Sequence, residues 1–334
     1  MGQGAYIFGC EATRLTDQEK MFFAQSRPFG FILFARNIDT PDQLRGLTGE
    51  MRDAAGYDAP IFIDQEGGRV DRMNPGHWEQ TLPALDQVEL AGASAERSMW
   101  LRARLIAAQL QSVGIDANCV PLCDIVTDAT HPVLKNRCYG RNVADVTAIA
   151  TVVAEATLSG GVLPVVKHIP GYGRARNDAH LELSVVDATV SDLEEFEFAP
   201  FVALSHMPMA MTAHLIYSAL DELPATQSPV IVDLIRKRIG FQGLLMGDDI
   251  GMEALHGSIT ERSQKSLQAG CDIVLHCNGD LAEMIGVADT VGMMNQVSQE
   301  RADTALTWRN SPEPFDEAAA QNELKTILES RADA

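Results

Sequence analysis

The stretch LPVVKHIPGYGRARNDAH, residues 163–180, decides the fold class of this chain. It begins with a short run of successive apolar residues, which is typical of a strand buried on both faces of a parallel sheet. The run ends in Lys167 and His168, and the loop that follows contains Gly171 and Gly173. Ionisable side chains at the end of a buried strand are typical of α/β folds, in which ligands bind at the carboxyl ends of the strands.

Seven other runs repeat this pattern, and helix-like segments separate them. Thr16 with Glu19 forms a capping-box pattern, and Thr40 is an N-cap candidate followed by Pro41 at the first helical position. This repeated alternation predicts an α/β protein with a single (β/α)8 TIM-like barrel and a C-terminal helical extension after about residue 280. An open, doubly wound sheet is the alternative. The strand-like runs are residues 5–11, 29–36, 59–66, 114–124, 163–168, 209–217, 243–249 and 271–278.

The composition narrows the classes of function. The 334 residues carry a formal net charge of −20, which disfavours binding to nucleic acid or to an anionic membrane. No linker-like segment divides the chain, so we expect one catalytic barrel domain over residues 1–334. Six scattered cysteines predict reduced, mostly buried thiols. The sequence contains no signal peptide and no run of 18 apolar residues, and we therefore expect a cytoplasmic protein.

Nearly every strand-like run ends in an ionisable or amide side chain. In a barrel these ends meet on one face, where active sites of this fold lie. Carboxylates together with arginines that can bind in a bidentate manner suit a ligand rich in hydroxyl groups, so we expect a sugar site. The candidate groups are the carboxylates of Asp64, Asp124, Asp248 and Asp249, the cations of Arg72, Arg137 and Lys167, and the imidazoles of His168, His180 and His214.

Two other kinds of site compete with a sugar site. Asp- and His-rich barrel ends are common in metallohydrolases, but the chain has no His-x-His at a strand end and no His-Glu-x-x-His. A phosphate site is the other competitor, with GYG and EGG as candidate glycine loops, although neither is a full phosphate-binding fingerprint. We therefore expect no metal and no other cofactor.

The loop of the opening stretch carries an Asp-x-His pair. Asp178 and His180 lie two positions apart, so their side chains face the same side of an extended loop. An aspartate bound to one imidazole nitrogen orients the ring and leaves the other nitrogen for proton transfer. Gly171 and Gly173 would allow the loop to close over a ligand. In the alternative interpretation, Asp178 caps a turn and His180 is merely exposed.

Four motifs carry a resemblance to a known family. They are KHIPGYGRARNDAH (167–180), DQEGGRVDR (64–72), GFQGLLMGDDIGM (240–252) and AHLIYSALDELPATQSP (213–229). Together they resemble the β-N-acetylglucosaminidase branch of glycoside hydrolase family 3, and the similarity extends from about residue 5 to about residue 300. The motifs depart from the family pattern at Ile169, Tyr172, Ala179 and Gly247, none of which is a reacting group. Tyr172 and Ala179 bear on the motion of the loop and on substrate tolerance.

The resemblance implies a retaining exo-β-N-acetylglucosaminidase that acts on GlcNAc-containing muropeptides in cytoplasmic peptidoglycan recycling. Asp248 would be the nucleophile, and His180, oriented by Asp178, would be the acid/base. Two enzymatic alternatives stay open, a glycoside phosphorylase and a β-glucosidase of the same family. The non-enzymatic alternative is a sugar-binding protein that retains a decayed barrel. The implied sugar-binding residues are Asp64, Arg72, Arg137, Lys167 and His168, with His214 and Asp249 as further candidate contacts.

Overall fold

The strands of the chain form a parallel barrel. A computed structural model describes residues 2–73, 76–177 and 182–332. The strands in this part of the chain are β1 (Gly4–Phe8), β2 (Pro28–Leu33), β3 (Ile61–Ile63), β4 (Ala117–Asn118), β5 (Leu163–Ile169), β6 (Ser184–Val186), β7 (Met209–Thr212), β8 (Leu215–Tyr217), β9 (Leu244–Met246) and β10 (Val274–His276).

Eight of these strands pair side by side in the order β10-β1-β2-β3-β4-β5-β7-β9. Every neighbouring pair is parallel, for example Phe31 with Ile61 and Val165 with Met209. A parallel bridge between Met246 and Ile273 links β9 to the start of β10 and brings the two edges of the sheet together. The predicted (β/α)8 TIM-like barrel is therefore confirmed, and each of its strands falls within one of the predicted runs or overlaps it.

Helices surround the barrel and follow the strands along the chain. The predicted starts are confirmed at α1, where Thr16 and Glu19 form a reciprocal capping box, and at α2, where Thr40 accepts from Gln43 N. The helices are α1 (Asp17–Ser26), α2 (Pro41–Ala55), α3 (Ala84–Ala91), α4 (Ala95–Ser112), α5 (Pro132–Lys135), α6 (Val143–Ser159), α7 (Val190–Asp192), α8 (Ala199–Ala203), α9 (Pro229–Leu234), α10 (Ile259–Ala269), α11 (Leu281–Val291), α12 (Gln296–Leu306) and α13 (Glu317–Ala332).

Successive side chains of each barrel strand point alternately into the barrel and towards the surrounding helices. On β5, Leu163 and Val165 join the apolar cluster inside the barrel, whereas Val166 packs in the cluster under the helices. Ala302 and Ala305 of α12 also join the interior cluster, so α12 covers the amino end of the barrel. The carboxyl end is thereby left as the accessible face of the interior.

The run at residues 209–217 behaves differently from the prediction. It was expected to form one strand, but it divides into β7 and β8, with Ala213 and His214 between them. The second half leaves the barrel and pairs in parallel with β6, a short strand that the sequence pattern did not predict. Pairing with the distant segment Ser184–Val186 of the same chain decides this division, and the local hydrophobic pattern does not predict it.

The C-terminal helices and the cysteines complete the description of the fold. After about residue 280 the chain is helical, as predicted, and forms α11, α12 and α13. Helix α13 docks on α4 through Ala320, which packs with Leu101 and Leu105. All six cysteines are buried and unpaired, as predicted.

Within the ranges described above, we find no helix that is both long enough and apolar enough to span a membrane.

Candidate active site

A cavity at the carboxyl end of the barrel brings the predicted residues together. Its wall also contains apolar side chains, among them Phe34, Tyr172 and Met252. Asp178 and His180 lie outside the described residues, so the predicted Asp-His pair stays a prediction from the sequence. The predicted site residues that line the cavity are Asp64, Arg72, Arg137, Lys167, His168, His214, Asp248 and Asp249.

Lys167 is the most deeply buried cation of the site. It lies on β5, where the strand period turns its side chain into the barrel, and only 2% of that side chain is exposed. Its Nζ lies 2.8 Å from Asp64 Oδ1 and 2.6 Å from a carboxylate oxygen of Glu66. Burial alone would lower the pKa of Lys167, but the two carboxylates raise it above its usual range, so the ammonium stays charged.

Asp64 follows β3 and faces cations on two sides. Besides Lys167, it meets Arg72, whose Nη2 lies 3.4 Å from Asp64 Oδ2. Burial would raise the pKa of Asp64, but Lys167 and Arg72 hold it well below its usual range. Arg72 also lies over the ring of Phe34, with 5.1 Å between the guanidinium carbon and the ring centroid. The site therefore presents an ionised acceptor beside fixed donors, which suits sugar hydroxyl groups.

Asp124 orients His168. Its Oδ2 lies 2.7 Å from His168 Nδ1, and its Oδ1 accepts from the main-chain N of Tyr172 at 2.7 Å. An ionised carboxylate only accepts, so Nδ1 carries a hydrogen and Nε2 is the ring atom available to a second partner. The sequence pattern identified Asp124 as a polar strand end but did not identify its role as the partner of His168.

The Asp248-Asp249 pair follows β9. Asp248 is half-buried, and its Oδ1 accepts from the main-chain N of Asp249 at 2.8 Å. Asp249 points elsewhere, since its Oδ1 accepts from Gly251 N at 2.9 Å and from Cys277 N at 3.2 Å. Burial raises the pKa of Asp249, and the neighbouring charge of Asp248 raises it further against these hydrogen bonds. Of the two carboxylates, Asp248 is the one whose hydrogen bonds leave it more accessible to a ligand.

His214 uses both ring nitrogens within the protein. Nε2 donates to the main-chain O of Asp249 at 2.9 Å, and Nδ1 lies 2.8 Å from Thr226 Oγ1. A carbonyl oxygen only accepts, so the hydrogen lies on Nε2 and the ring holds the chain beside the carboxylate pair. This arrangement gives His214 the function of fixing the Asp248-Asp249 segment.

The two glycines of the opening stretch have a packing reason. Gly171 has φ +138°, and a side-chain carbon there would come within 2.9 Å of Glu197 Cβ. A carbon on Gly173 would lie 2.0 Å from the main-chain O of Ile125. Close approach of the backbone therefore requires glycine at both positions. The loop closure expected from these glycines stays a prediction.

Glu66 is a site residue that the sequence interpretation did not single out. It binds Arg137 through both carboxylate oxygens, with Arg137 Nε at 2.9 Å and Nη2 at 2.8 Å. Its position at the end of a predicted strand was the available signal, but its partners lie far away in sequence.

Across the ranges given above, no group of three or more His, Cys, Asp or Glu side chains is arranged to hold a metal ion.

Comparisons with known proteins point to one family. The model of the glycosyl hydrolase family 3 N terminal domain matches residues 10–307. A β-hexosaminidase of Neisseria meningitidis serogroup B is 36% identical over 286 residues, which are 83% of this chain and 78% of that protein. The crystal structure of NagZ from Neisseria gonorrhoeae in complex with N-trifluoroacetyl-D-glucosamine has a TM-score of 0.84 at 29% identity and covers 100% of this chain and 98% of that chain. A structure of the same relative in complex with zinc ion has a TM-score of 0.81 at 28% identity, with the same coverage.

Proposed function

This chain belongs to glycosyl hydrolase family 3 and is a glycoside hydrolase of the β-N-acetylhexosaminidase type, and we propose that it is a retaining exo-β-N-acetylglucosaminidase. The reaction would release a terminal, non-reducing, β-linked GlcNAc. One observation carries the proposal. Asp248, the proposed nucleophile, lines the same cavity as Asp64, Arg137 and Lys167. The charged donors and acceptors of these three residues suit the hydroxyl groups of a sugar.

The proposed chemistry has two steps. The carboxylate of Asp248 attacks the anomeric carbon, and the bond to the leaving oxygen breaks as His180 gives that oxygen a proton. Water then attacks the glycosyl-enzyme, His180 takes the proton back, and Asp248 leaves as a carboxylate. Asp178 would orient the imidazole and stabilise its charged form. General acid/base assistance of this kind contributes roughly 10²–10⁴-fold.

The other residues of the cavity would bind the sugar. Asp64 supplies an ionised acceptor, Lys167 and Arg137 supply charged donors, and the Nε2 atom of His168 supplies a further polar contact. Arg72 would hold Asp64 and bind the sugar or its 2-acetamido group. A GlcNAc analogue bound to the related protein from Neisseria gonorrhoeae supports the choice of sugar.

We extend the proposal to the substrate and its compartment. The whole chain, residues 1–334, would act as one catalytic domain on GlcNAc-containing muropeptides in the cytoplasm, within peptidoglycan recycling. The support for this step is the similarity to the β-hexosaminidases and to NagZ. The proposed function requires no binding to nucleic acid or to a membrane, and the net charge of −20 disfavours binding to either when it is anionic.

A side-by-side assay tests the proposal. An aryl β-N-acetylglucosaminide and the matching aryl β-glucoside are compared, and we expect the first to be cleaved at least about tenfold faster because the site binds the 2-acetamido group. Proton NMR should show the β-anomer of GlcNAc as the first product. Preference for the glucoside would replace the proposal by a β-glucosidase.

Phosphate separates hydrolysis from phosphorolysis. We expect the same rate with and without phosphate, and free GlcNAc as the product in both cases. A rate that depends on phosphate, with a sugar phosphate as product, would identify a phosphorylase. Binding of GlcNAc without any turnover would identify a sugar-binding protein.

A further inference from the structure

Glu66 is a buried carboxylate at the centre of the charged cluster. Its side chain is 4% exposed, and it does not belong to the wall of the active-site cavity. It borders instead a small internal cavity beside α4, together with Met99, Arg102 and Tyr139. Any effect of Glu66 on a bound sugar must therefore pass through its neighbours.

Those neighbours are two cations that do line the active-site cavity. Glu66 Oε1 lies 2.6 Å from Lys167 Nζ and 2.8 Å from Arg137 Nη2, so one oxygen is shared between both cations. Glu66 Oε2 accepts from Arg137 Nε at 2.9 Å, which completes a bidentate pair. A bidentate pair fixes the plane of the guanidinium as well as its position.

The donors that remain are the ones a ligand can use. Lys167 has three N–H donors, of which Asp64 takes one, and its ammonium also forms an ion pair with Glu66 Oε1 at 2.6 Å. Arg137 has five, of which Glu66 takes the Nε donor and one on Nη2. The other N–H donors of Arg137 are directed away from Glu66, and both Arg137 and Lys167 border the active-site cavity.

Charge supports the same conclusion. The cluster contains three cations, Arg72, Arg137 and Lys167, and two carboxylates, Asp64 and Glu66, so one positive charge is left unbalanced within it. Arg137 and Lys167 repel each other, and Glu66 is the carboxylate that contacts both of them. If the charge of Glu66 is removed, Asp64 is the carboxylate that remains, and its ion pairs are with Lys167 and Arg72. The side chains of Arg137 and Lys167 are then expected to separate.

The backbone of Glu66 is itself held in place. Its N donates to Val70 O at 3.0 Å, and its O accepts from the buried guanidinium of Arg102 on α4. Gly67 makes this contact possible, since a side-chain carbon there would lie 2.3 Å from Arg102 Nη2. The carboxylate is thus attached to a rigid support, as a group that positions others requires.

We propose that Glu66 is a positioning residue, which fixes Lys167 and Arg137 so that their remaining N–H donors meet the sugar, while Glu66 itself does not touch the sugar. This inference rests on the proposed function, because GlcNAc is the ligand whose binding it explains. It assigns to the DQEGG segment a second carboxylate whose contribution to affinity is indirect.

Paired variants test the inference. Glu66→Gln keeps the size of the side chain and removes its charge, and Glu66→Asp keeps the charge on a shorter side chain. The matched control is Asp272→Asn, because Asp272 is also buried between two arginines, with Arg236 at 2.6 Å and Arg301 at 2.9 Å, at the amino end of the barrel. The readouts are Tm, kcat and KM for an aryl β-N-acetylglucosaminide, and the Kd of GlcNAc by calorimetry.

We expect Glu66→Gln to raise both KM and the Kd of GlcNAc about tenfold or more, with a smaller change in kcat, because charge-assisted hydrogen bonds that orient the donors are lost. Glu66→Asp should give a smaller increase, and it decides the question if the glutamine variant does not fold. Asp272→Asn should lower Tm and leave the Kd of GlcNAc unchanged.

Two results overturn the positioning role. One is an unchanged Kd in a folded Glu66 variant, and the other is an equal rise in Kd for Asp272→Asn, which would mean that any buried lesion weakens binding. A wild-type protein that neither cleaves the glycoside nor binds GlcNAc overturns the proposed function instead. A wild type that does both, beside an unaffected Glu66 variant, overturns the inference alone.

Discussion

Asp124 Oδ2 lies 2.7 Å from His168 Nδ1, although 44 positions separate the two residues in sequence. The same carboxylate accepts from Tyr172 N, so it joins the end of β5 to the segment that follows it, which begins at Pro170. The orientation of His168 and the position of the main chain at Tyr172 therefore depend on one buried carboxylate.

Asp124→Asn is expected to weaken substrate binding. An amide at this position can donate to His168 Nδ1, which reverses the hydrogen-bond polarity and changes the ring atom that carries the hydrogen. We expect KM to rise about tenfold, which corresponds to the loss of one hydrogen bond to a charged group. Nitrogen NMR of the imidazole and steady-state kinetics measure the two effects. An unchanged tautomer together with an unchanged KM would contradict this role.

Asp248→Ala is expected to abolish turnover and to leave the fold intact. The side chain is half-buried, and its hydrogen bond to Asp249 N is a local one, so little packing is lost. We expect kcat to fall by at least about 10⁴-fold, as for loss of a nucleophile, with Tm close to that of the wild type. Activity within about tenfold of wild type would reassign the nucleophile. Asp249 would then be the next candidate.

His180→Ala is expected to affect substrates according to their leaving groups. A nitrophenolate leaves almost without a proton, whereas a sugar alkoxide needs one. The variant should therefore lose far more activity on a GlcNAc disaccharide than on an activated aryl glycoside, and Asp178→Ala should show the same pattern more mildly. Equal losses on both substrates would return His180 to the alternative of an ordinary loop histidine.

Glu66 predicts a defined dependence of stability on pH. Burial would raise its pKa, but Arg137 and Lys167 lower it to about 2, below the value of about 4.3 in an unfolded chain. A lowered pKa in the folded state adds stability that is complete above the unfolded value and is lost as the pH falls towards the folded value. The unfolding free energies of wild type and Glu66→Gln, measured in urea, should differ by about 3 kcal/mol at pH 7. That difference should stay constant down to about pH 5 and shrink below about pH 4.3. A difference that widens in acid would refute the assignment.

Metal removal is expected to have no effect on activity. The proposed mechanism uses a carboxylate and an imidazole, and none of its steps requires a Lewis acid. Extended treatment with EDTA should leave kcat and KM unchanged. A loss of activity that zinc or manganese restores would refute the prediction. Zinc is the metal of first choice for this test, because a related protein has been crystallised with it.

The barrel could be predicted from the sequence because its signals are local. Each barrel strand lies in or overlaps a short, mainly apolar run, and several helix starts carry their own cap, as at Thr16 and Thr40. The polar ends of the runs also predicted which residues would share a cavity, since parallel strands bring their carboxyl ends to one face. Asp64, Lys167 and Asp248 were identified in this way, and all three line the cavity. The roles of Asp178 and His180 still depend on the sequence and its family resemblance.

The tertiary structure decided the partner of each polar group. Glu66 meets Arg137 over 71 positions, and Lys167 meets Asp64 over 103 positions. The register of the parallel strands and the packing beneath the helices set these distances, and a local pattern contains neither. The same long-range pairing divided residues 209–217 into β7 and β8. The sequence by itself therefore determined the barrel and the face on which the site lies, whereas only tertiary contacts decided which charges face a ligand and which hold one another, because these contacts form between segments that are distant in the chain.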